Sequence, residues 1–145
     1  MPKKTMYITL EDIKKLLPEE IIIQLTDDEN TGAVNQARVD EAIKGADAEI
    51  NSYCATKYAV PFTTVPDIVK SLSVEIAIYN LHKRRTISEE IEKRYDKAIA
   101  KLKDISRGLI TLGVDPAPAA TTEGGAETNK TESDRVFTRD SLRNF

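Results

Sequence analysis

The sequence predicts an all-α fold: a bundle of three long helices, with one or two short N-terminal helices before it and a flexible C-terminal tail after it. Apolar residues recur at helical spacing in three segments between residues 38 and 108. An elbow with two prolines separates the first two segments, and neither helix can continue through it. After residue 114 the hydrophobic periodicity stops altogether.

The first short helix has a start signal at Thr9, with Asp12 at the reciprocal position of a capping box. We expect a helix over residues 10–17, which Pro18 ends. The next residues suit a second short helix with glutamates in its first turn. Three consecutive isoleucines, at positions 21–23, are equally compatible with a short strand.

Residues 26–32 have the composition of a loop, rich in Asp, Asn, Thr and Gly. The spacing of Asp28, Asn30 and Gly32 differs from that of an EF-hand, whose glycine comes one residue later and whose loop a glutamate closes. We therefore interpret this segment as a solvated loop and not as a calcium site.

The first long helix begins after Asn35, which is placed to cap it. Its apolar stripe comprises Val39, Ala42, Ile43, Ala46, Ile50, Tyr53 and Cys54. Its other face is assigned the charged residues Asp40, Glu41, Lys44, Asp47 and Glu49. We expect these acids to face solvent or a partner, and Asp40 is placed to pair with Lys44 one turn later.

The second and third long helices flank the basic residues at positions 83–85. Residues 58–66 form the elbow, and Pro66 suits the start of a helix whose apolar residues occupy more than one face, which predicts a central position. The third helix starts near Ser88, and Gly108 is placed to close it in a left-handed cap. Its single apolar seam comprises Ile91, Tyr95, Ala98, Leu102, Ile105 and Leu109.

Three parts are predicted along the chain. Residues 1–114 form the helical domain. Residues 115–133, rich in Pro, Ala, Thr and Gly, form a flexible linker. Residues 134–145 again contain apolar side chains among polar ones. We expect this segment to dock on an apolar surface.

Composition and charge disfavour several classes of function. The net charge of −3 and a pI near 5.3 disfavour a protein whose affinity comes mainly from neutralising phosphates. Cys54 is the only cysteine, so it cannot form an internal disulfide or a multi-thiolate zinc site, and the chain fits a reducing compartment. No stretch approaches the length of a membrane helix.

No catalytic, cofactor-binding or metal-binding constellation is evident. His82 is the only histidine and has no partner motif, so a structural or surface role is expected. Cys54 is interpreted as a small buried hydrophobe, and no glycine-rich phosphate loop is present. The sequence therefore predicts a protein without enzymatic activity that works by contact.

A local basic excess begins at Lys83, Arg84 and Arg85 and continues along the last helix. It is either a solvated face with salt bridges or a face that meets DNA or an acidic neighbour. The acidic loop and first long helix provide its counterpart, so copies of the chain could meet head to tail, as in a ring.

Several motifs, in this order, resemble a known family. They are Tyr-Ile-Thr-Leu-Glu-Asp-Ile at 7–13, the loop at 24–29, Ala-Ile-Lys-Gly-Ala-Asp-Ala-Glu-Ile-Asn-Ser-Tyr at 42–53 and Lys-Tyr-Ala-Val-Pro-Phe at 57–62. The match continues through 77–85, 94–98, 102–108 and 136–142. Together they resemble the Mu-like prophage head-to-tail connector family, over nearly all of the chain outside the linker.

The resemblance implies a structural protein of the virion neck, assembled in the host cytoplasm, which binds the portal protein as a ring and joins or seals the capsid vertex to the tail. The implied partners are the portal, neighbouring subunits and tail-side proteins, with possible non-specific contact to packaged DNA. No cofactor is implied. The candidate interface residues are Lys83, Arg84, Arg85, Val136, Phe137, Arg139, Leu142 and Phe145. The alternative is a small helical DNA-binding regulator that contacts phosphates through residues 83–85.

Overall fold

The computed structural model describes residues 6–114, and every regular element in that part of the chain is an α-helix, as predicted. The helices are α1 (Leu10–Lys14), α2 (Glu19–Thr26), α3 (Gln36–Cys54), α4 (Asp67–Lys83) and α5 (Glu89–Ser106). The predicted linker, residues 115–133, and the predicted docking segment, residues 134–145, lie outside the described residues.

The short helix α1 begins at the predicted cap but ends earlier than predicted. The Asp12 carboxylate accepts the backbone N–H of Thr9 at 3.0 Å, which is the expected half of the capping box. The helix stops at Lys14 and not at residue 17. Because Pro18 disfavours helical geometry at the residue before it, the chain leaves the helix through a turn, in which the Leu17 N–H reaches the carbonyl of Ile13 at 2.9 Å.

The isoleucine run belongs to α2, so the strand alternative is wrong. Pro18 stands at the N-cap, and two glutamates occupy the first turn. Within the helix Ile22 and Leu25 are buried against the rest of the domain. The helical spacing of these two residues thus prevails over the β-propensity of the run.

The long helix α3 is capped by Asn35, whose side chain accepts the N–H groups of Ala37 and Arg38. The predicted apolar stripe is buried, except that Tyr53 is only partly covered. The expectation that Asp47 faces solvent or a partner is wrong, because its side chain lies in the core with 7% exposure. Asp40 accepts a hydrogen bond from Gln36, and no ion pair to Lys44 forms within residues 6–114.

The elbow joins the segment before α1 to the main bundle through aromatic contacts. Tyr58 and Phe62 are buried, and the ring of Phe62 lies 5.8 Å from that of Tyr7 and 6.2 Å from that of Tyr58. The Tyr7 hydroxyl accepts the Phe62 N–H at 3.1 Å. The Tyr58 hydroxyl accepts the Leu112 N–H at 3.1 Å, so the elbow also holds the segment after α5. The Val60–Pro61 peptide bond within the elbow is cis.

The central helix is α4, as its apolar residues on several faces predicted. It packs against α3 and α5 and also contacts both short helices, and Pro66 stands at its N-cap as expected. In α5 the seam residues Ala98, Leu102 and Ile105 are buried, and Ser88 caps the helix.

Leu109 is an exception to the predicted seam, since 73% of it is exposed. The reason is the way in which α5 ends. Gly108 adopts a φ of 79°, and the N–H of Leu109 reaches back to the carbonyl of Asp104 at 2.9 Å. This closing motif turns the chain out of the helical path, so the seam ends one turn before Leu109.

Candidate partner-binding surfaces

The predicted interface residues on α4 lie at its C-terminal end, where two of the three make intramolecular contacts. Arg84 donates to the Asp28 carboxylate at 2.6 Å and to the carbonyl of Leu25 at 3.1 Å. Arg85 approaches the other oxygen of Asp28 at 3.5 Å. Lys83 is exposed. The arginines therefore hold the acidic loop against the end of α4, and this loop is not the free acidic surface that the sequence suggested.

The Asp28 carboxylate faces a third guanidinium, that of Arg38, at 3.4 Å. The hydrogen bond from Arg84 and the charges of all three arginines hold the pKa of Asp28 below its ordinary value. Arg38 also reaches Glu41 at 3.3 Å. Three guanidinium groups and two carboxylates are thus connected in one cluster beside the end of α4.

A shallow groove of about 310 Å³ lies beside this cluster, between the first half of α3 and the second half of α4. At the bottom of the groove α3 and α4 are in close contact, because the Asn80 side chain donates to the carbonyl of Ala42 at 3.1 Å. A Cβ atom at Gly45 would come within 3.2 Å of the Asn80 amide nitrogen. The groove is lined by Arg38, Glu41, Ala42, Gly45, Asn80, Lys83 and Arg84.

The exposed basic residues of α5 that form no ion pair within residues 6–114 begin at Lys97. In the first half, Lys93 pairs with Glu89 at 2.8 Å, and Arg94 makes two hydrogen bonds to Glu75, at 2.8 and 2.9 Å. The Glu75 carboxylate raises the pKa of Arg94, which keeps this bidentate contact fully charged. The following cations are exposed and form no ion pair within residues 6–114: Lys97, Lys101, Lys103 and Arg107.

A tyrosine stack holds α5 on the bundle. The rings of Tyr79 and Tyr95 lie 3.9 Å apart and 14° from parallel. The Tyr95 hydroxyl donates to Glu49 of α3 at 2.8 Å. Burial, and then the Glu49 carboxylate, raise the pKa of Tyr95, so the hydroxyl keeps its proton and remains a donor. Three helices are thus linked at one point.

Asp47 is a buried polar centre that sequence reasoning missed. Its carboxylate accepts the Tyr7 N–H at 3.0 Å and the Ser73 hydroxyl at 2.8 Å. Burial raises its pKa, against the opposing effect of these two hydrogen bonds. A signal was present in the sequence, because Asp47 comes four residues after Ile43 and three before Ile50, on the apolar stripe itself.

His82 and Cys54, the other residues considered for chemical roles, lie in the packed part of the helical domain. His82 is half-buried, and its Nδ1 lies 2.8 Å from the carbonyl of Ile78. Cys54 is buried as predicted. Within residues 6–114 no three His, Cys, Asp or Glu side chains are grouped so that they could hold a metal ion. The helices of the same part include none with the length and apolarity to cross a membrane.

The other predicted interface residues are in the C-terminal segment and lie outside the described residues. They are Val136, Phe137, Arg139, Leu142 and Phe145. Their expected docking role stays a prediction.

The family model described as "Bacteriophage Mu, Gp36" matches residues 7–130, which is well over half of the chain. The chain belongs to this Mu Gp36 family. The match begins at Tyr7, which contacts the elbow, and it includes all five helices. The predicted resemblance to a Mu-like phage family is therefore confirmed.

Two relatives extend the comparison to individual proteins. Over 141 residues the chain is 27% identical to the "Mu-like prophage FluMu protein gp36" of Haemophilus influenzae, an alignment that covers 97% of this chain and 98% of the relative. Over 108 residues it is 27% identical to "Gene product J" of Escherichia phage Mu, covering 74% and 76%. One relative is a prophage protein and the other a phage protein, so the comparison places the chain among phage proteins.

Proposed function

We propose that this chain is a structural head-to-tail connector, which binds the portal as a ring and joins or seals the capsid vertex to the tail in the virion neck. The observation that carries the proposal is membership of the Mu Gp36 family, together with an alignment to the Haemophilus relative along almost the entire length of both chains. The order of the motifs that resemble Mu-like connectors supports the finer role.

The architecture of the described domain is compatible with a protein that acts by shape. The central helix α4 is enclosed by other helices, and the elbow fixes the segments before α1 and after α5 to one aromatic cluster. A rigid body of this kind presents its surface groups in a fixed arrangement, which repeated contacts in a ring require. We propose that binding, and not catalysis, is the activity of this chain.

The direct test mixes the full-length chain with assembled portal of the same phage and measures the mass of the complex by light scattering. We expect several copies of the chain on each portal ring. A chain that stays monomeric beside unchanged portal, and is absent from purified virions, would contradict the connector function.

The predicted docking segment can be tested in the same assay. The double substitution Phe137→Ser and Leu142→Ser removes two apolar side chains and is expected to weaken portal binding at least about tenfold, since a few buried apolar anchors carry most of the energy of an interface. Thr138→Ser, at a polar position between them, is the matched control and should bind normally. Unchanged binding by the double variant would remove this segment from the interface.

The alternative function, a DNA-binding regulator, has one observation in its favour: the exposed cations from Lys97 to Arg107, along and directly after α5. Against it, Arg84 and Arg85, which were expected to contact phosphates, are bound to Asp28. A salt titration of DNA affinity separates the two functions. Sub-micromolar binding by the monomer that falls steeply with salt would favour the regulator, whereas weak binding without sequence preference fits the connector.

A further inference from the structure

Two large hydrophobic side chains are conspicuously exposed in the described part of the chain. Leu16, in the turn between α1 and α2, is 54% exposed, and Leu109, directly after α5, is 73% exposed. Single exposed leucines are common and need no explanation by themselves. What distinguishes this pair is the backbone that holds each residue, the charge around each, and the position of each in the fold.

Both leucines are held by ordered backbone. The Leu16 N–H donates to the carbonyl of Ile13 at 3.1 Å, and the Ile13 side chain is completely buried. The Leu109 N–H donates to the carbonyl of Asp104 in the closing motif of α5. Each side chain is therefore presented at a fixed place, so that its burial against another surface costs little additional backbone entropy.

The surroundings of Leu16 are acidic. Lys14 pairs with Glu11 at 3.7 Å and with Glu19 at 3.1 Å, and Lys15 pairs with Asp12 at 3.3 Å. Both lysines of the segment therefore form ion pairs with acidic side chains. The exposed Glu20 adds a further negative charge. We call Leu16 with Glu11, Glu19 and Glu20 the acidic patch.

The surroundings of Leu109 are basic. A Cβ atom at Gly108 would lie 3.7 Å from the side chain of Lys57, and the Thr56 hydroxyl contacts the carbonyl of Ser106 at 3.4 Å, so the end of α3 lies beside the end of α5. The exposed Lys103 and Arg107 complete the surface, and Asp104 is the acid among them. We call Leu109 with Lys57, Lys103 and Arg107 the basic patch.

The two patches belong to elements that make no extensive contact with each other. The helices α1 and α2 pack on α4, and α2 also packs on α3, whereas α5 packs across both long helices without an extensive contact to α1 or α2. No extensive contact therefore joins the two patches within one copy. They can meet between successive copies in a heterologous contact, the kind that closes into a ring.

We propose that the acidic patch of one copy docks on the basic patch of a second copy of this chain, with Leu16 and Leu109 at the centre of the contact. The inference rests on the proposed ring function and names the two faces that form the ring. Opposite charges around an apolar centre align the copies and disfavour contacts between like patches.

Cysteine cross-linking on assembled portal tests the contact. Full-length Leu16→Cys and Leu109→Cys chains, carrying different tags, are mixed with portal and oxidised. Native Cys54 is fully buried, so it should contribute little background cross-linking. Disulfides join cysteines only at short Cα separations, so we expect disulfide-linked dimers that contain both tags, and none when either variant is used alone. Gln24→Cys mixed with Lys97→Cys, at exposed positions outside the patches, is the matched control.

A charge exchange gives an independent readout. Glu20→Arg or Arg107→Glu alone should weaken assembly about tenfold, because each places like charges against each other, and the two together should restore most of it. Glu29→Arg, at an exposed acid outside both patches, should change little. Thermal unfolding of each variant confirms that the fold is intact.

The outcomes separate this inference from the proposed function. Rings on portal that give no mixed cross-link, or that cross-link within a single variant, would overturn the proposed contact and leave the connector function standing. A chain that does not bind portal contradicts the connector function; the cross-link is then sought in the concentrated chain alone, and its absence there also overturns the contact.

Discussion

At the residue scale, Asp47 holds together three parts of the molecule that are far apart in sequence. Its two oxygens accept the backbone N–H of Tyr7, before α1, and the hydroxyl of Ser73, on α4. Buried donors without an acceptor are expensive, so this carboxylate fixes the N-terminal segment on the core. Tyr7 in turn contacts the elbow through Phe62.

Replacing Asp47 by alanine should lower the free energy of unfolding by about 3 kcal/mol, because two buried donors lose their acceptor. The measurement is chemical denaturation of the full-length chain. Glu41→Ala, at an exposed acid on the same helix, should cost less than about 0.5 kcal/mol. Equal effects of the two substitutions would show that Asp47 has no special structural role.

Asp47 should also make stability depend on pH. Burial raises its pKa in the folded chain above the ordinary value of 3.8, so protonation of Asp47 favours the folded state. This proton-linked part of the stability is complete below that pH and is lost as the pH rises through the folded pKa, whereas the hydrogen bonds accepted from Tyr7 and Ser73 remain. Asp47→Asn cannot titrate. We expect the free energy of unfolding of the native chain, relative to Asp47→Asn, to fall as the pH rises from about 3 and then to level off. A difference that stays constant with pH would contradict the raised pKa.

Cys54 should be chemically inert in the folded chain. Its side chain is buried, and burial raises the pKa of the thiol to about 11, so the reactive thiolate is scarce at neutral and mildly alkaline pH. We expect a thiol reagent at pH 8 to label Cys54 only as denaturant unfolds the protein, whereas the thiol introduced by Leu109→Cys should react at once. Rapid labelling of native Cys54 would show that the core opens.

At the scale of elements, α5 is attached to the bundle by an apolar seam and by two polar contacts. Ala98, Leu102 and Ile105 form the buried seam. The Arg94–Glu75 pair links α5 to α4, and the Tyr95 hydroxyl links it to Glu49 of α3. The seam supplies most of the stability, and the polar contacts fix the rotation of the helix.

Tyr95→Phe should lower the free energy of unfolding by about 1 kcal/mol, because the hydrogen bond to Glu49 is lost while the stacked ring is kept. The measurement is thermal or chemical unfolding. Tyr53→Phe, which removes the hydroxyl of a partly buried tyrosine on α3, is the control and should change stability less. If both variants match the native chain, the contact between Tyr95 and Glu49 does not stabilise the fold.

The starts of the helices were predictable because their signals are local. Asn35 and Ser88 cap the helices that follow them, and Pro66 precedes α4, all at the expected positions. The departure of Leu109 from the seam was harder to foresee, since the turn at Gly108 decides where the following side chain goes. Local chemistry defines where elements begin and end, and less reliably where the flanking side chains point.

The partner surface was less predictable than the fold, because it depends on contacts between distant residues. Nothing near Arg84 in the sequence indicates that its guanidinium group binds Asp28, which comes from the loop after α2. The expected basic face at residues 83–85 is thus partly neutralised, and the exposed cations lie further along α5. Asp47 shows the reverse case, in which the spacing indicated burial but the charge suggested exposure.

At the scale of the whole molecule, a compact set of helices presents local charges of opposite sign on different elements. The acidic patch lies on the side of α1 and α2, and the basic patch lies where α3 and α5 end. The ring that we propose uses this arrangement, because opposite charges on two patches of one chain can pair between successive copies. Family membership makes the phage particle the place to look for that assembly.

The most direct measurement is electron microscopy of the neck of the mature phage, with the density fitted by residues 6–114. We expect a ring of these helical domains between portal and tail, with Leu16 of each copy facing Leu109 of the next. A neck whose density is fully explained by other proteins, in virions that lack this chain, would contradict the connector function.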